Sequence, residues 1–431
     1  MTKEIKWIAI QPLTGGMYFG TEEVVGKPAE CILSFSGLAD YKINKSTNEI
    51  TGASNERHLI EYLKEHNRMP NYYIFKDKKM FQDDLIDNIT FTDIDGNDEV
   101  VEFNDIDLVV AVPVCSGLSS ATIAPGDTKN ARNCNMKFIA RYTMNVIKPK
   151  VLIMENAPQL YTPTGSNMRE YFKTIASSAG YSVMFIRTDT LLHNNCQRRP
   201  RTFVMFVRND NGQGFPDMIN ENKHIDVITF FKEIDKHIKK HTLQDKNSNW
   251  GSYLMLQWFK EMWGDEWRNN MGEYSIGSMN IVNRNLYDEY KNYINEHIED
   301  EKKRKGYHRI LDHVKYKVSL GKGFYWDTPI LPKPTHTPAM IFKTIPHVLH
   351  PIEDRFISIE EALSLMGMPY DFMFVGNPMN SLPQIGQNVP VKTAAWVVSN
   401  AVNIINNWDN LDLKHSSVCY YNNIKNTYVE E

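Results

Sequence analysis

Three unbroken apolar runs constrain this chain most: residues 106–114 (IDLVVAVPV), 150–155 (KVLIME) and 202–207 (TFVMFV). A strand with one wet face alternates apolar and polar residues. These runs do not alternate, so each is expected to be a strand buried on both faces. Between the first two, residues 135–147 space their apolar side chains as a helix does. Strand, helix and strand in succession imply crossover connections and a mostly parallel sheet. Residues 6–13 (KWIAIQPL), ending at Thr14-Gly15-Gly16, and 30–35 (ECILSF) are two more expected strands, and 58–65 (HLIEYLKE) an expected helix. The predicted fold class is α/β, a doubly wound and mostly parallel sheet.

Near residue 210 the texture changes. Residues 215–330 are rich in Lys, Asn, Trp and Tyr, with basic clusters at 236–240, 302–305 and 315–322 and tryptophans at 250, 258, 263 and 267. A chain of 431 residues accommodates two domains. The division expected is a first domain over 1–210, a smaller domain inserted at 211–335, a return to the first over 336–408 and a polar surface tail at 409–431. A helix is expected at 391–405 (VKTAAWVVSNAVNII). The tryptophans read as the core of the small domain, and the run Lys302-Lys303-Arg304-Lys305 as a solvated helix face.

Composition narrows the class. With 42% hydrophobic and 23% charged residues the chain is an ordinary globular protein. No apolar stretch approaches the roughly 20 residues that span a bilayer, and the start lacks the pattern of a signal peptide. The five cysteines, at 31, 115, 134, 196 and 419, are scattered, so neither a disulfide framework nor a metal site is expected. These readings place the chain in the reducing cytoplasm, without membrane or metal partner, and as a monomer. The 48 Lys+Arg against 52 Asp+Glu give a formal charge of −4, so a whole-chain basic excess is absent. A basic cleft on an acidic body remains compatible with nucleic acid.

The residues that carry chemistry lie at strand ends. Pro113-Val114-Cys115-Ser116-Gly117 leaves the first apolar run, where parallel α/β sheets place their ligands. Cys115 reads there as a nucleophile or as buried packing. Glu155-Asn156 ends the second run. Its carboxyl is either a group whose pKa burial raises, or an exposed cap. In Gln197-Arg198-Arg199-Pro200-Arg201 alternate side chains share a face, which brings Gln197, Arg199 and Arg201 together. Two guanidiniums on one face suit an anionic or carbonyl-bearing ligand, or form a solvated turn.

In this order the three segments resemble the cytosine-specific DNA methyltransferases that modify ring carbon 5. That family carries a Pro-Cys loop, a Glu-Asn-Val strand end and a Gln-x-Arg-x-Arg strand start, then a long variable region. Here the matching texts are IDLVVAVPVCSGLS, PKVLIMENAPQL and CQRRPRTFVMF. After the variable region come PKPTHTPAM, HPIEDRFISIEEALSLMGMPYDF and Gln384-Ile385-Gly386-Gln387-Asn388-Val389-Pro390, similar to the family's closing motifs.

The resemblance implies a catalytic and cofactor-binding first domain and a target-recognition domain at 211–335. It also implies S-adenosylmethionine as methyl donor, held along Thr14, Gly15, Gly16, Gln387, Asn388 and Val389, and double-stranded DNA as partner. Cys115 would attack carbon 6 of a flipped-out cytosine, and Arg199 and Arg201 would favour its thiolate. Glu155 would hydrogen-bond ring nitrogen 3, Arg201 the base carbonyl, and Asn156 would brace the loop at Pro113.

Departures centre on the cofactor half. The family's Phe-x-Gly-x-Gly-Gly reads Gln11-Pro12-Leu13-Thr14-Gly15-Gly16 here, and the ribose-binding acid expected some 20 residues on has Asp40 as its nearest candidate. A relative acting on RNA, one using an altered donor, and a non-catalytic DNA-binding relative therefore stand as alternatives. A restriction-modification or phage setting fits the Lys/Asn-rich, AT-leaning composition.

Overall fold

The computed structural model describes residues 4–35, 38, 42–43, 50–52, 54–76, 89–113, 131–239, 242, 250–271, 275–276, 281–320, 328–341 and 344–431. Its strands in chain order are β1 (Trp7–Ile10), β2 (Cys31–Ser34), β3 (Lys42–Ile43), β4 (Ile50–Gly52), β5 (Asn71–Phe75), β6 (Phe91–Thr92), β7 (Asp98–Glu99), β8 (Leu108–Ala111), β9 (Val151–Asn156), β10 (Tyr181–Asp189), β11 (Pro200–Arg208), β12 (Ser275–Ile276), β13 (Ile330–Leu331), β14 (Val418–Asn422) and β15 (Thr427–Glu430). Eleven of them form one sheet in the order β15-β14-β10-β11-β9-β8-β1-β2-β5-β6-β7. β1 pairs parallel with both β2 and β8, and β8 parallel with β9. β11 runs antiparallel between β9 and β10. From β1 the strand order goes outward one way through β2 and β5, and the other way through β8 and β9. The switch point is thus between β1 and β8, and the crevice at their carboxyl ends is where such sheets bind ligands.

The three runs expected to be strands buried on both faces are so: β8 and β9 are buried throughout and β11 over Thr202–Val207, and β1 and β2 are buried as well. Alternation sorts their side chains between two cores. Trp7, Ala9, Leu108, Val110, Val151, Ile153, Phe203 and Met205 join the core under α1 (Gly16–Val25), α2 (Asn55–Glu65) and the helix Val391–Asn406. Ile8, Ile10, Val109, Ala111, Leu152, Met154, Val204 and Phe206 join the core under α3 (Ala131–Tyr142) and α4 (Ser166–Ala179). On the first face α1 lies directly on the helix Val391–Asn406. A Cβ at Gly20 would meet Val391 O at 2.6 Å and Ala394 Cβ at 2.7 Å, so glycine permits the approach.

Two expectations need correction. Residues 409–431 are not a surface tail. β14 adds to β10, and β15 closes the edge as its antiparallel partner. Cys419 and Tyr421 enter one core while Val418 and Tyr420 pack on the other, so this strand is covered on both sides despite its polar flanks. Nor does packing change hands at 211 and 336. Phe215, Val227, Phe231 and Ile234 belong to the main core, because their apolar side chains find cover on the sheet. Leu349 and Phe356 join a third cluster with Trp258, Phe259, Trp267, Tyr290 and Tyr293. Trp258 and Trp267 are core residues, as expected. Lys302, Lys303 and Lys305 lie exposed on the helix Glu301–Ser319.

Candidate active site at the switch point

After β1 the backbone enters the left-handed region at Gln11 (φ 51°) and Leu13 (φ 55°), and Gly15 (φ 110°) then opens α1. Leu13 stands where the motif's first glycine would, in a conformation that non-glycine residues rarely adopt. The loop has therefore kept the shape of a glycine turn without the glycine.

A Cβ on Gly16 would lie 1.8 Å from Val389 O, so only glycine lets this loop touch the 387–389 turn. Gly16 N donates to Asn388 Oδ1 at 2.8 Å and Thr14 Oγ1 to Gln384 O at 3.3 Å. Gln387 Oε1 accepts from Asn55 Nδ2 at 2.8 Å, which brings the start of α2 to the same place. Thr14, Gly15, Gly16, Gln387, Asn388 and Val389, more than 360 residues apart in the chain, thus converge.

An acid other than Asp40 comes to the end of β2. Asp40 lies outside the described residues. In the first turn of α2, Glu56 is buried beside Ser34, the last residue of β2. Tyr72 Oη donates to its Oε2 at 2.8 Å and Ser34 also bonds the carboxylate. Burial raises its pKa to about 7, against the lowering by those two hydroxyls. The β3–β4 hairpin separates Glu56 from β2 in sequence, so counting residues from the strand could not find it.

On the catalytic side the period of two decides which groups meet. Glu155 follows Val151 and Ile153 onto the α1 face, and Arg199 and Arg201 precede Phe203 and Met205 on that same face. Arg201 Nε lies 2.7 Å from Glu155 Oε1. Burial pushes the Glu155 carboxyl above its ordinary pKa, opposed by the charges of Arg201 and then Arg199. Arg199 is fully buried. It donates from Nη1 to Met340 O (2.7 Å) and from Nη2 to Gly386 O (2.7 Å) and Asn388 O (2.9 Å). Gln197 beside it donates to Leu365 O and accepts from Met340 N.

Asn156, expected to brace the loop at Pro113, ends β9 two residues past the pairing of Ala111 with Met154. One residue on from Glu155, it turns to the α3 face, where Nδ2 lies 3.6 Å from Met136 Sδ and Oδ1 accepts from Ala157 N. Pro113 is buried just past β8. Cys115 lies outside the described residues.

The glycine loop at the switch point and the Glu155–Arg201 pair thus belong to one α/β sheet. The chain belongs to the C-5 cytosine-specific DNA methylase family, whose profile matches residues 62–403. Its fold is similar to that of an E. coli protein assigned as a DNA modification methyltransferase encoded within a prophage, at 15% identity and TM-score 0.50 over 93% of this chain and 99% of that one. The Dnmt2 methyltransferase of S. pombe (12% identity, TM-score 0.48, 94% and 100% covered) and the Entamoeba histolytica methyltransferase EhMeth (12%, 0.49, 93% and 98%) are also similar. No protein of curated function matches the chain in sequence. Among the described residues no helix is long and apolar enough to cross a membrane.

The family implies S-adenosylmethionine, and the residues fit it. Gln11 Oε1, Asn55 Oδ1 and Glu56 Oε1 are buried acceptors with no hydrogen-bond partner among the described residues. Unanswered acceptors around a glycine loop suit a ligand that brings an ammonium and ribose hydroxyls.

Proposed function

We propose that this protein methylates carbon 5 of cytosine in duplex DNA. The observation that carries the reading is the pair of buried Glu155 with half-buried Arg201, 2.7 Å apart. S-adenosylmethionine supplies an electrophilic methyl group. Thr14, Gly15, Gly16 and the 387–389 turn would hold it, with the ribose hydroxyls donating to Glu56. The target base leaves the stack, which costs a few kcal/mol, and enters beside Glu155. Burial holds the Glu155 carboxyl above its usual pKa, against the Arg201 and Arg199 charges, which favours the protonated form that would donate to ring nitrogen 3. Arg201 holds that carboxyl in line and meets the base carbonyl. Cys115, two residues past Pro113 in the chain, adds to carbon 6. That addition makes carbon 5 nucleophilic; after methylation the carbon 5 proton departs to water and the Cys115–carbon 6 bond breaks. The exposed lysines of the helix Glu301–Ser319, beside the cluster of Trp258 and Trp267, suit DNA phosphates in target recognition.

Incubation with mixed-sequence duplex DNA and methyl-labelled S-adenosylmethionine should place the label in 5-methylcytosine. Label entering RNA instead, or no label in either acceptor, would overturn the reading.

Glu56→Gln is expected to weaken binding of S-adenosylhomocysteine by about tenfold, the worth of one charge-assisted hydrogen bond. Calorimetry with the 2′-deoxy analogue is the check. If Glu56 accepts from the ribose, the variant and the parent bind that analogue alike.

A further inference from the structure

Gly386, Asn388 and Met340 are held by one buried side chain whose charge the reaction scheme above does not use. We propose that Arg199 is a positioning residue for the donor-binding turn: its guanidinium fixes residues 386–388, and through the Asn388 side chain fixes the first peptide of α1. This rests on the reading of that turn as part of the donor site.

The connection is a relay of two hydrogen bonds. Arg199 Nη2 donates to Asn388 O at 2.9 Å, and Asn388 Oδ1 accepts from Gly16 N at 2.8 Å. Nη2 also reaches Gly386 O, and Nη1 anchors the other edge of the fork on Met340 O. A planar guanidinium meets three carbonyls on two segments at once, whereas an ammonium on a flexible stem is a single point of attachment. The anchor itself is rigid, because Arg199 N donates to Asp189 Oδ1 at 3.0 Å and its carbonyl accepts from Thr190. Since Arg201, two residues on, pairs with Glu155, one short segment sets both the carboxyl that meets the base and the turn that meets the donor. A shift of that segment would move both together, which keeps the methyl group and carbon 5 in register.

Gln197 is the matched control. It is as buried as Arg199 and also grips Met340, but its amide reaches Leu365 O and not the 386–388 turn. The test uses the full chain with Arg199→Lys and Gln197→Met. Losing charge-assisted bonds should weaken S-adenosylhomocysteine by about tenfold or more in Arg199→Lys, while Gln197→Met stays within about twofold even if its Tm falls. In methyl transfer the Arg199→Lys defect should fall on KM for S-adenosylmethionine more than on kcat. Amide exchange at Gly16 gives a readout independent of any donor, and should speed up in Arg199→Lys alone. Equal weakening by both variants, or unchanged Gly16 exchange in Arg199→Lys, would overturn the proposal. Absence of donor binding by the parent protein would instead sink the reading of the site, leaving the exchange measurement to judge the relay.

Discussion

Cys115→Ala is expected to abolish methyl transfer to the limit of detection while duplex DNA still binds. Carbon 5 of cytosine is a weak nucleophile, and no other group in the scheme can raise its electron density by adding to carbon 6. Hydrogen bonds from Glu155 and Arg201 lower the barrier for that addition but cannot replace it. A second readout separates a lost nucleophile from a lost fold. DNA with 5-fluorocytosine at the target should form a protein–DNA adduct stable to denaturation, because fluorine cannot depart as the carbon 5 proton does. The adduct should appear with the parent protein and be missing in Cys115→Ala. Methylation surviving in the alanine variant would remove covalent catalysis from the scheme, whatever the substrate.

The meeting of Glu155 with Arg201 is a local signal, whereas that of Glu56 with the end of β2 is a long-range one. The runs that became β8, β9 and β11 are continuous and apolar, and such runs report burial on both faces directly from sequence. Their ends fixed where Glu155 and Arg201 would stand, and alternation alone puts both on one face. The same alternation turns Asn156 to the opposite face from Glu155, where it meets Met136 and the backbone of Ala157. Glu56 reaches the end of β2 only because α2 folds back after the β3–β4 hairpin, a tertiary event that no local pattern encodes. β14 looked like tail because the polar residues around it mask five residues with cover on both faces. The boundary at 211 followed a change in composition, yet Phe215, Val227 and Phe231 obey the sheet's demand for apolar cover and stay with the main core. Arg199 was expected to serve the thiolate. Its charge alone could be read from sequence; that its donors go to the carbonyls of 340, 386 and 388 depends on where a segment about 140 to 190 residues later returns.

The Glu155–Arg201 pair should be the most sensitive element in both catalysis and stability, and the two effects can be told apart. Glu155→Gln keeps shape and burial but replaces the acid proton with an amide, so methyl transfer should fall by about 10²- to 10⁴-fold with little loss of Tm. Arg201→Met removes the partner and leaves the carboxyl buried, for which about 3–5 kcal/mol of stability is the usual loss. The pH dependence carries a definite sign. Burial already holds the folded-state pKa of Glu155 above its unfolded value, and the Arg201 charge opposes that rise. Without Arg201 the folded pKa climbs further. Below the unfolded pKa, near 4.3, the carboxyl is protonated in both states and makes no difference. As pH rises from there through the folded pKa, the folded state holds a proton that the unfolded state has released, and stability is lost. The Tm deficit of Arg201→Met should therefore be larger at pH 8 than at pH 5. It should become nearly independent of pH when Glu155→Gln is added, since the titrating group is then gone. A deficit that stays constant with pH in the single variant would mean that Arg201 stabilises by packing, and that the carboxyl it faces is not the proton-holding acid the reaction needs.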